Sequence, residues 1–256
     1  MLWHATPLPF LSKNQVVRLK VARTISKELK LLADGRRAEV SARFFKTGKG
    51  EYGEGDVFHG ITVPQTRLVA KKYSRQATLA DVNLLLNSRF HEERLIALLI
   101  LVSKFEKAGA RERKKIFAFY LKNAKRVNNW DLVDLSADKI MGPFLEAKGL
   151  KLLKKLAESD SVWERRIAII STFHYIKNGD CKRAFEIARI LLNDRHDLIQ
   201  KAVGWMLREA GKRCSEKQLC GFLDANAKRM PRTMLRYAIE RLPKKKRLYY
   251  LKKEKP

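Results

Sequence analysis

The chain has 256 residues, 45% of them apolar, and its 55 Lys and Arg against 27 Asp and Glu give a net charge of +28. That apolar content can bury a core, which excludes a disordered basic tail as a description of the whole chain. The three cysteines form no CxxC pattern, so the sequence indicates neither a disulfide framework nor a zinc site, and reduced thiols are expected. No apolar run reaches the roughly 18 residues of a membrane span.

Residues 1–14 contain two prolines and no clear periodicity, so they are predicted to be a disordered N-terminus. They also lack the basic start and long apolar core of a signal peptide. From about residue 14 onward, apolar residues recur three and four apart, as in LIALLILVSKF (95–105), which is typical of helices. The β-leaning stretch GITVP (60–64) ends at a proline and is predicted to lead into the helix that follows.

The segment TGKGEYGEG (47–55) contains a formal GxGxxG pattern. This pattern binds phosphate where a strand precedes it and a helix N-terminus follows it, and the sequence indicates neither. Three acidic residues in or beside the segment would also repel a phosphate. We therefore predict a loop that uses the backbone freedom of glycine.

A repeat of about 35 or 36 residues runs through the chain. EERLIALL (92–99) resembles ERRIAII (164–170), and IQKAVGWML (199–207) and MLRYAIERL (234–242) are further copies. One position is basic in four copies, namely Arg94, Arg166, Lys201 and Arg236. In the middle copy that position falls on Trp130. The period favours helical hairpins of the HEAT type, which must stack to bury their apolar faces.

The sequence therefore predicts an all-α fold, a right-handed solenoid of HEAT-like helical-hairpin repeats with a concave basic groove. A single domain is expected over residues 15–243, followed by a basic C-terminal tail over residues 244–256, either solvated or in contact with DNA. The recurring cation would line the groove, although ordinary solvated helix charges remain an alternative. A phosphate backbone is the natural partner for so basic a chain, and the spread of Lys and Arg along it argues against a membrane surface.

The middle repeat, NNWDLVDLSA (128–137), places Trp130 and Asp134 four residues apart on one helical face. An acid that points into a phosphate-binding groove opposes binding. A departure of this kind from the charge pattern of the groove suggests a functional site. One repeat later, Arg166 could lie beside Asp134 and keep the carboxylate ionised. The segment GWMLRE (204–209) adds Trp205 and Arg208. Each residue taken singly also has an ordinary explanation as a core aromatic or a surface ion pair.

These segments, together with RFFKTGKGEYGEGD (43–56) and HEERLIALLIL (91–101), resemble the AlkD-like DNA alkylation repair proteins from about residue 15 to about residue 250. The resemblance implies a monofunctional DNA glycosylase, a hydrolase that releases cationic N3- and N7-alkylated purines from double-stranded DNA. It implies no metal and no cofactor. It also implies that the damaged base stays stacked, whereas glycosylases usually flip it out.

By the same resemblance, Asp134 is the catalytic aspartate, Trp130 and Trp205 are tryptophans of the site, and Arg166 lies beside the aspartate. The residues predicted to contact DNA are Arg43, Phe44, Lys46, Arg94, Lys201, Arg208 and Arg236. Phe44 replaces a tyrosine of the best-known member, so a hydrogen bond from that hydroxyl is not expected here.

Two other functions stay open on the sequence: a non-catalytic DNA-binding paralogue that recognises branched or distorted DNA, and a protein-binding scaffold. The presence of both tryptophans, the aspartate and the arginine favours the enzyme. A cytoplasmic monomer is expected.

Overall fold

A computed structural model describes residues 20–145 and 149–252 of the chain, so the expectations for residues 1–14 and for the last four residues lie outside the described part. Every regular element within the described ranges is a helix, and the only β-type pairing there is one bridge between Val57 and Phe90. This confirms the all-α prediction. None of the helices described is long and apolar enough to cross a membrane.

The chain folds as two compact units, the first ending at Lys104. The helices of the first unit are α1 (Lys20–Leu31), α2 (Gly35–Phe44), α3 (Val63–Tyr73), α4 (Leu79–Leu86) and α5 (His91–Lys107), whose last turn crosses the boundary. Helix α5 forms the core of this unit, because its side chains from Leu95 to Leu98 are all buried. Helix α3 starts after Thr62, whose side chain caps it, as predicted for the GITVP stretch.

The loop that follows α2 confirms the prediction made for the glycine-rich segment. Gly50 has a φ of 79°, a conformation that favours glycine. The amides of Gly48 and Gly50 donate to the carboxylates of Glu51 and Glu54, so the loop satisfies its own N–H groups. Further on, Gly60 also has a φ of 79°, and a Cβ atom at this residue would lie 2.1 Å from the Asp34 carbonyl oxygen.

The second unit begins at Phe105 and contains the longer series of helices. They are α6 (Ala110–Lys122), a one-turn 3-10 helix (Ala124–Arg126), α7 (Trp130–Asp134), α8 (Ala137–Phe144), α9 (Leu150–Ala157), α10 (Val162–Ser171), α11 (Phe173–Lys177), α12 (Lys182–Ile190), α13 (Asp197–Arg213), α14 (Glu216–Asn226), α15 (Arg232–Ile239) and α16 (Lys244–Lys252).

The helix spacing in the second unit follows the sequence repeat. Helices α10, α13 and α15 begin at intervals of 35 residues, and Arg166, Lys201 and Arg236 are each the fifth residue of their helix. Helix α13 packs against α10 on one side and α15 on the other. Gly204 allows the second contact, since a Cβ atom there would lie 2.5 Å from the Met234 carbonyl oxygen. This regularity agrees with a helical-repeat solenoid.

The residues predicted to form a basic tail are instead largely helical, since α16 covers Lys244–Lys252. The helix is fixed to the unit by the buried Tyr250, whose hydroxyl donates to the Cys220 carbonyl oxygen at 3.3 Å. Lys246 adds an ion pair to Glu216 at 2.5 Å. The run of lysines concealed the helix in the sequence, because it offers almost no apolar periodicity.

Candidate active site

Helix α7 is short, and its sequence fixes both of its ends. It begins at Trp130 because the buried Asn129 is its N-cap and accepts a hydrogen bond from the Trp130 amide at 2.8 Å. It ends at Asp134, just before Ser136, whose hydroxyl donates to the Leu132 carbonyl oxygen at 2.6 Å and also bonds to Tyr120 at 2.9 Å. Buried hydrogen bonds therefore hold the backbone around Asp134 in place.

Arg166 of α10 holds the Asp134 carboxylate with two hydrogen bonds. Its Nε donates to Oδ1 at 2.9 Å and its Nη2 donates to Oδ2 at 2.8 Å. The Asp134 side chain is 15% exposed and the Arg166 side chain only 6%. Such a two-point pairing fixes orientation as well as charge. The structure thus places these two residues together as the sequence predicted, and it leaves the Asp134 side chain partly exposed.

Burial raises the pKa of the Asp134 carboxyl above its ordinary value, and the nearby Asp131 and Asp138 act in the same direction. The Arg166 guanidinium lowers the pKa but does not fully offset the burial. The ionised carboxylate is therefore a stronger base than an exposed aspartate would be, which suits a group that stabilises positive charge or orients a water molecule.

Arg166 also connects α7 to α13. Its Nη1 donates to the carbonyl oxygen of Leu198 in the first turn of α13, at 2.5 Å. Trp205 lies on the same helix two turns further along and is half-buried, with its ring centroid 5.8 Å from that of Phe173. Trp130, at the start of α7, is half-buried too. Helices α7, α10 and α13 thus carry one acid, one structural cation and two half-buried tryptophans.

The sequence matches a known protein family. A model of the DNA alkylation repair enzyme family matches residues 25–242. The chain belongs to this family. As a member, this alkylation repair protein has a role in DNA repair, and the resemblance noted from its sequence motifs is confirmed.

The fold of the repair protein is also similar to that of a solved structure described as a predicted DNA alkylation repair enzyme from Enterococcus faecalis. The TM-score is 0.65 with 17% sequence identity, and the likeness covers 83% of this chain and 97% of that one. Identity at this level supports a common fold alone. A search of curated proteins finds no match.

The structure gives Arg94 of the repair protein a structural role. It is 4% exposed, and its guanidinium donates to Asp56 at 2.6 Å and to the carbonyl oxygens of Ser88 and Arg89. A side chain so enclosed would have to break these bonds to reach a phosphate. This corrects the expectation that Arg94 lies in an exposed stripe and contacts DNA. The recurring basic position instead supplies a buried ion pair in α5 and again in α10.

Two other residues at the recurring position, Lys201 and Arg236, do reach solvent. Lys201 is 41% exposed and pairs with Asp197 one helical turn earlier at 2.7 Å, while Arg236 is exposed on α15. Ion pairs of this kind are weak, so they leave the cation available to a stronger partner. Arg208, further along α13, contacts the Glu240 carboxylate through its Nη1.

The first unit presents three of the predicted DNA contacts together at the C-terminal end of α2. Arg43 and Lys46 are exposed, and the Phe44 ring is 64% exposed with an edge-on contact to Phe45. Lys46 has a φ of 53°, which is uncommon for a residue other than glycine. An exposed aromatic ring between two cations is suited to contact with a nucleic acid backbone and its bases.

Glu240, the partner of Arg208, was not predicted from the sequence. A signal for it was present, because Arg208 and Glu240 are 32 residues apart, as are Asp134 and Arg166. This separation is close to the 35-residue repeat shortened by one helical turn, which is about 3.6 residues. Opposite charges at this spacing can therefore pair between neighbouring repeats. Within the described residues, no group of three or more His, Cys, Asp or Glu could hold a metal ion.

Proposed function

We propose that this protein is a monofunctional DNA glycosylase that hydrolyses the N-glycosidic bond of cationic N3- and N7-alkylated purines in double-stranded DNA. One observation carries the proposal. A carboxylate, that of Asp134, is held in a fixed orientation by Arg166 and remains partly exposed in a chain of net charge +28. An acid opposes phosphate binding, so a basic protein that only bound DNA would use Asp134 solely as the partner of Arg166.

The chemistry needs little proton transfer to the leaving group. An alkylated purine carries a positive charge, so it departs with the electron pair of the glycosidic bond and becomes neutral. The sugar then acquires oxocarbenium character, which a nearby Asp134 carboxylate stabilises electrostatically. Water adds to C1′ and loses a proton, and the carboxylate with its raised pKa can accept it.

The two indoles supply a basis for selecting the lesion. A cation over an indole face gains about 0.5–2 kcal/mol, depending on how far water is removed. Trp130 and Trp205 are both half-buried, so each presents part of a ring to solvent. A charged alkylated base and the charged transition state would both benefit from these rings, whereas an unmodified base would benefit much less.

In each unit, cations that are exposed or partly exposed are candidates to contact the phosphate backbone. The candidates in the first unit are Arg43 and Lys46 beside Phe44, and those in the second are Lys201, Arg208 and Arg236. Each phosphate contact releases counterions, so binding should weaken steeply as salt rises. The cytoplasmic location and monomeric state expected from the sequence stay predictions.

The test is release of methylated purines from a methylated duplex by the wild-type protein and by Asp134→Asn. We expect the wild type to release 7-methylguanine or 3-methyladenine without added metal, and the variant to bind the duplex but release neither base. If wild type and variant are equally inactive on both lesions, or equally active, the proposal fails.

The chain offers a matched control for this substitution. Asp194 pairs with Arg165, the neighbour of Arg166 in α10, at 2.7 Å, and both side chains are well covered. Asp194→Asn therefore removes a similar carboxylate–arginine pair without touching the proposed site. We expect it to keep base release, which separates loss of chemistry from loss of an ion pair.

A second function, a non-catalytic DNA-binding role on branched or distorted DNA, is favoured by one observation. Both oxygens of Asp134 already accept hydrogen bonds from Arg166, as in a purely structural pair. The same assay decides between the two functions, since this second role predicts salt-sensitive DNA binding with no release of base by any variant.

A further inference from the structure

We infer that Glu240 competes with DNA for Arg208, so that its carboxylate occupies a phosphate-binding position until a phosphodiester displaces it. The inference deepens the proposed function and rests on one part of it, namely that DNA is the partner. It does not depend on base release. The ligand class is a phosphodiester of the DNA backbone, and the site lies on α13 and at the end of α15.

Arg208 is incompletely satisfied by its present partners. Its Nη1 donates to the Glu240 carboxylate, but its buried Nε has no hydrogen-bond partner among the described residues. Glu209 lies 3.9 Å from that nitrogen, too far for a hydrogen bond, and it is engaged by Arg213 at 2.7 Å. A guanidinium offers a fork of donors that suits two oxygens of one anion, and this pairing uses only part of the fork.

A cavity of about 100 Å³ is lined in part by Arg208. That is well above the roughly 10–15 Å³ that one water molecule needs. Three cations line the cavity, Arg208, Lys212 and Arg241, against a single acid, Glu216. Glu216 is itself neutralised by Lys246 at 2.5 Å. The cavity therefore carries an excess of positive charge and has room for an anionic group larger than water.

Because Glu240 is exposed, displacing its carboxylate from Arg208 costs little free energy. Its side chain is 51% exposed, whereas the Arg208 side chain is 18% exposed. The carboxylate can therefore swing into water while the guanidinium stays in place. Half-exposed ion pairs contribute little to stability, so a phosphate with further contacts along the backbone can replace the carboxylate. Until then, Glu240 neutralises the charge of Arg208 and lowers the affinity of the protein for DNA in general.

The experiment measures binding of a fluorescently labelled, undamaged duplex by anisotropy at a fixed low salt concentration. Glu240→Gln should bind about two- to fivefold more tightly than wild type, which is the range expected for removing an exposed ion pair. Glu240→Ala, which leaves no amide for the guanidinium, should show the same gain. In an Arg208→Gln background, Glu240→Gln should give no gain, because the cation that it frees is absent.

A matched control separates competition from a simple change in net charge. Glu112 pairs with Lys115 at 3.1 Å and is 48% exposed, close to the exposure of Glu240. Glu112→Gln makes the same change in charge in the same unit and should leave affinity nearly unchanged. The inference is overturned if Glu240→Gln binds no more tightly than wild type, if its gain persists without Arg208, or if Glu112→Gln gains as much.

This outcome is distinguishable from failure of the proposed function. The glycosylase proposal would be contradicted by intact DNA binding without base release from methylated duplex. The role inferred for Glu240 would be contradicted only by the DNA affinities of the residue 208 and 240 variants, whatever their glycosylase activity. Thermal unfolding of each variant confirms that the comparison is made between folded proteins.

Discussion

Replacing Arg166 with glutamine tests whether the acid of the site is held as the structure places it. The substitution removes both hydrogen bonds to Asp134 and the bond to the Leu198 carbonyl oxygen. It also leaves a mostly buried carboxylate without its counter-charge. Breaking a buried ion pair by removing one partner costs about 3–5 kcal/mol. Because Asp134 is still 15% exposed, we expect the lower end of that range, about 3 kcal/mol.

The expected loss is large enough to measure by unfolding. At roughly 2–4 °C of melting temperature per kcal/mol for a unit of this size, Arg166→Gln should melt about 6–12 °C below wild type. Tryptophan fluorescence is a suitable probe, because Trp130, Trp163 and Trp205 all belong to the second unit. Urea unfolding with the same probe gives the free energy directly.

The double variant makes the test specific to the pair. Asp134→Asn alone leaves the Arg166 cation facing a neutral amide, so it should also destabilise the second unit. With both substitutions no buried charge remains unpaired, and the loss should be smaller than the sum of the two single losses. A free energy for Arg166→Gln within about 0.5 kcal/mol of wild type, or strictly additive losses, would refute the buried pair.

Two further predictions concern the chemistry and the fold of the first unit. The proposed reaction needs the ionised form of Asp134, which exists above its pKa, so base release should fall as the pH drops through that pKa. Since burial raises it, the fall should begin above the ~3.9 of a free aspartate, and release that is undiminished at about pH 4 would contradict this. Gly60→Ala should destabilise the first unit well beyond the ~1 kcal/mol of backbone strain alone, because the added Cβ meets a carbonyl oxygen at 2.1 Å. Gly50→Ala has the same φ of 79° but open space around it, so it should cost only the strain, and equal losses on thermal unfolding by circular dichroism would show that packing at Gly60 is unimportant.

The helices and their repeat could be predicted because local sequence determines them. Apolar spacing indicates a helix, and a period of 35 residues between similar segments places α10, α13 and α15 correctly. The pairing of Asp134 with Arg166 was also predictable, since it joins equivalent parts of neighbouring repeats. Helix α16 was not, because its lysines carry no apolar pattern and Tyr250 alone shows which side is buried.

The direction in which a recurring cation points could not be predicted from its period. Arg94 and Arg166 are buried, and each pairs with an aspartate from elsewhere in the chain. Lys201 and Arg236 reach solvent from the corresponding position. The difference depends on whether the fold brings an acid close to that position, and Asp56 belongs to a loop with no repeat counterpart. A sequence period predicts which helical position a side chain occupies, whereas its partner depends on the tertiary fold.

The link that Arg166 makes between α7 and the start of α13 also bears on how this site can change over evolutionary time. A descendant that no longer needed to release bases would still be penalised for losing its aspartate alone, since the enclosed guanidinium would be left stranded. The two residues can therefore be discarded only together, or nearly so. A relative that has lost base release should for this reason replace Asp134 and Arg166 together rather than one at a time.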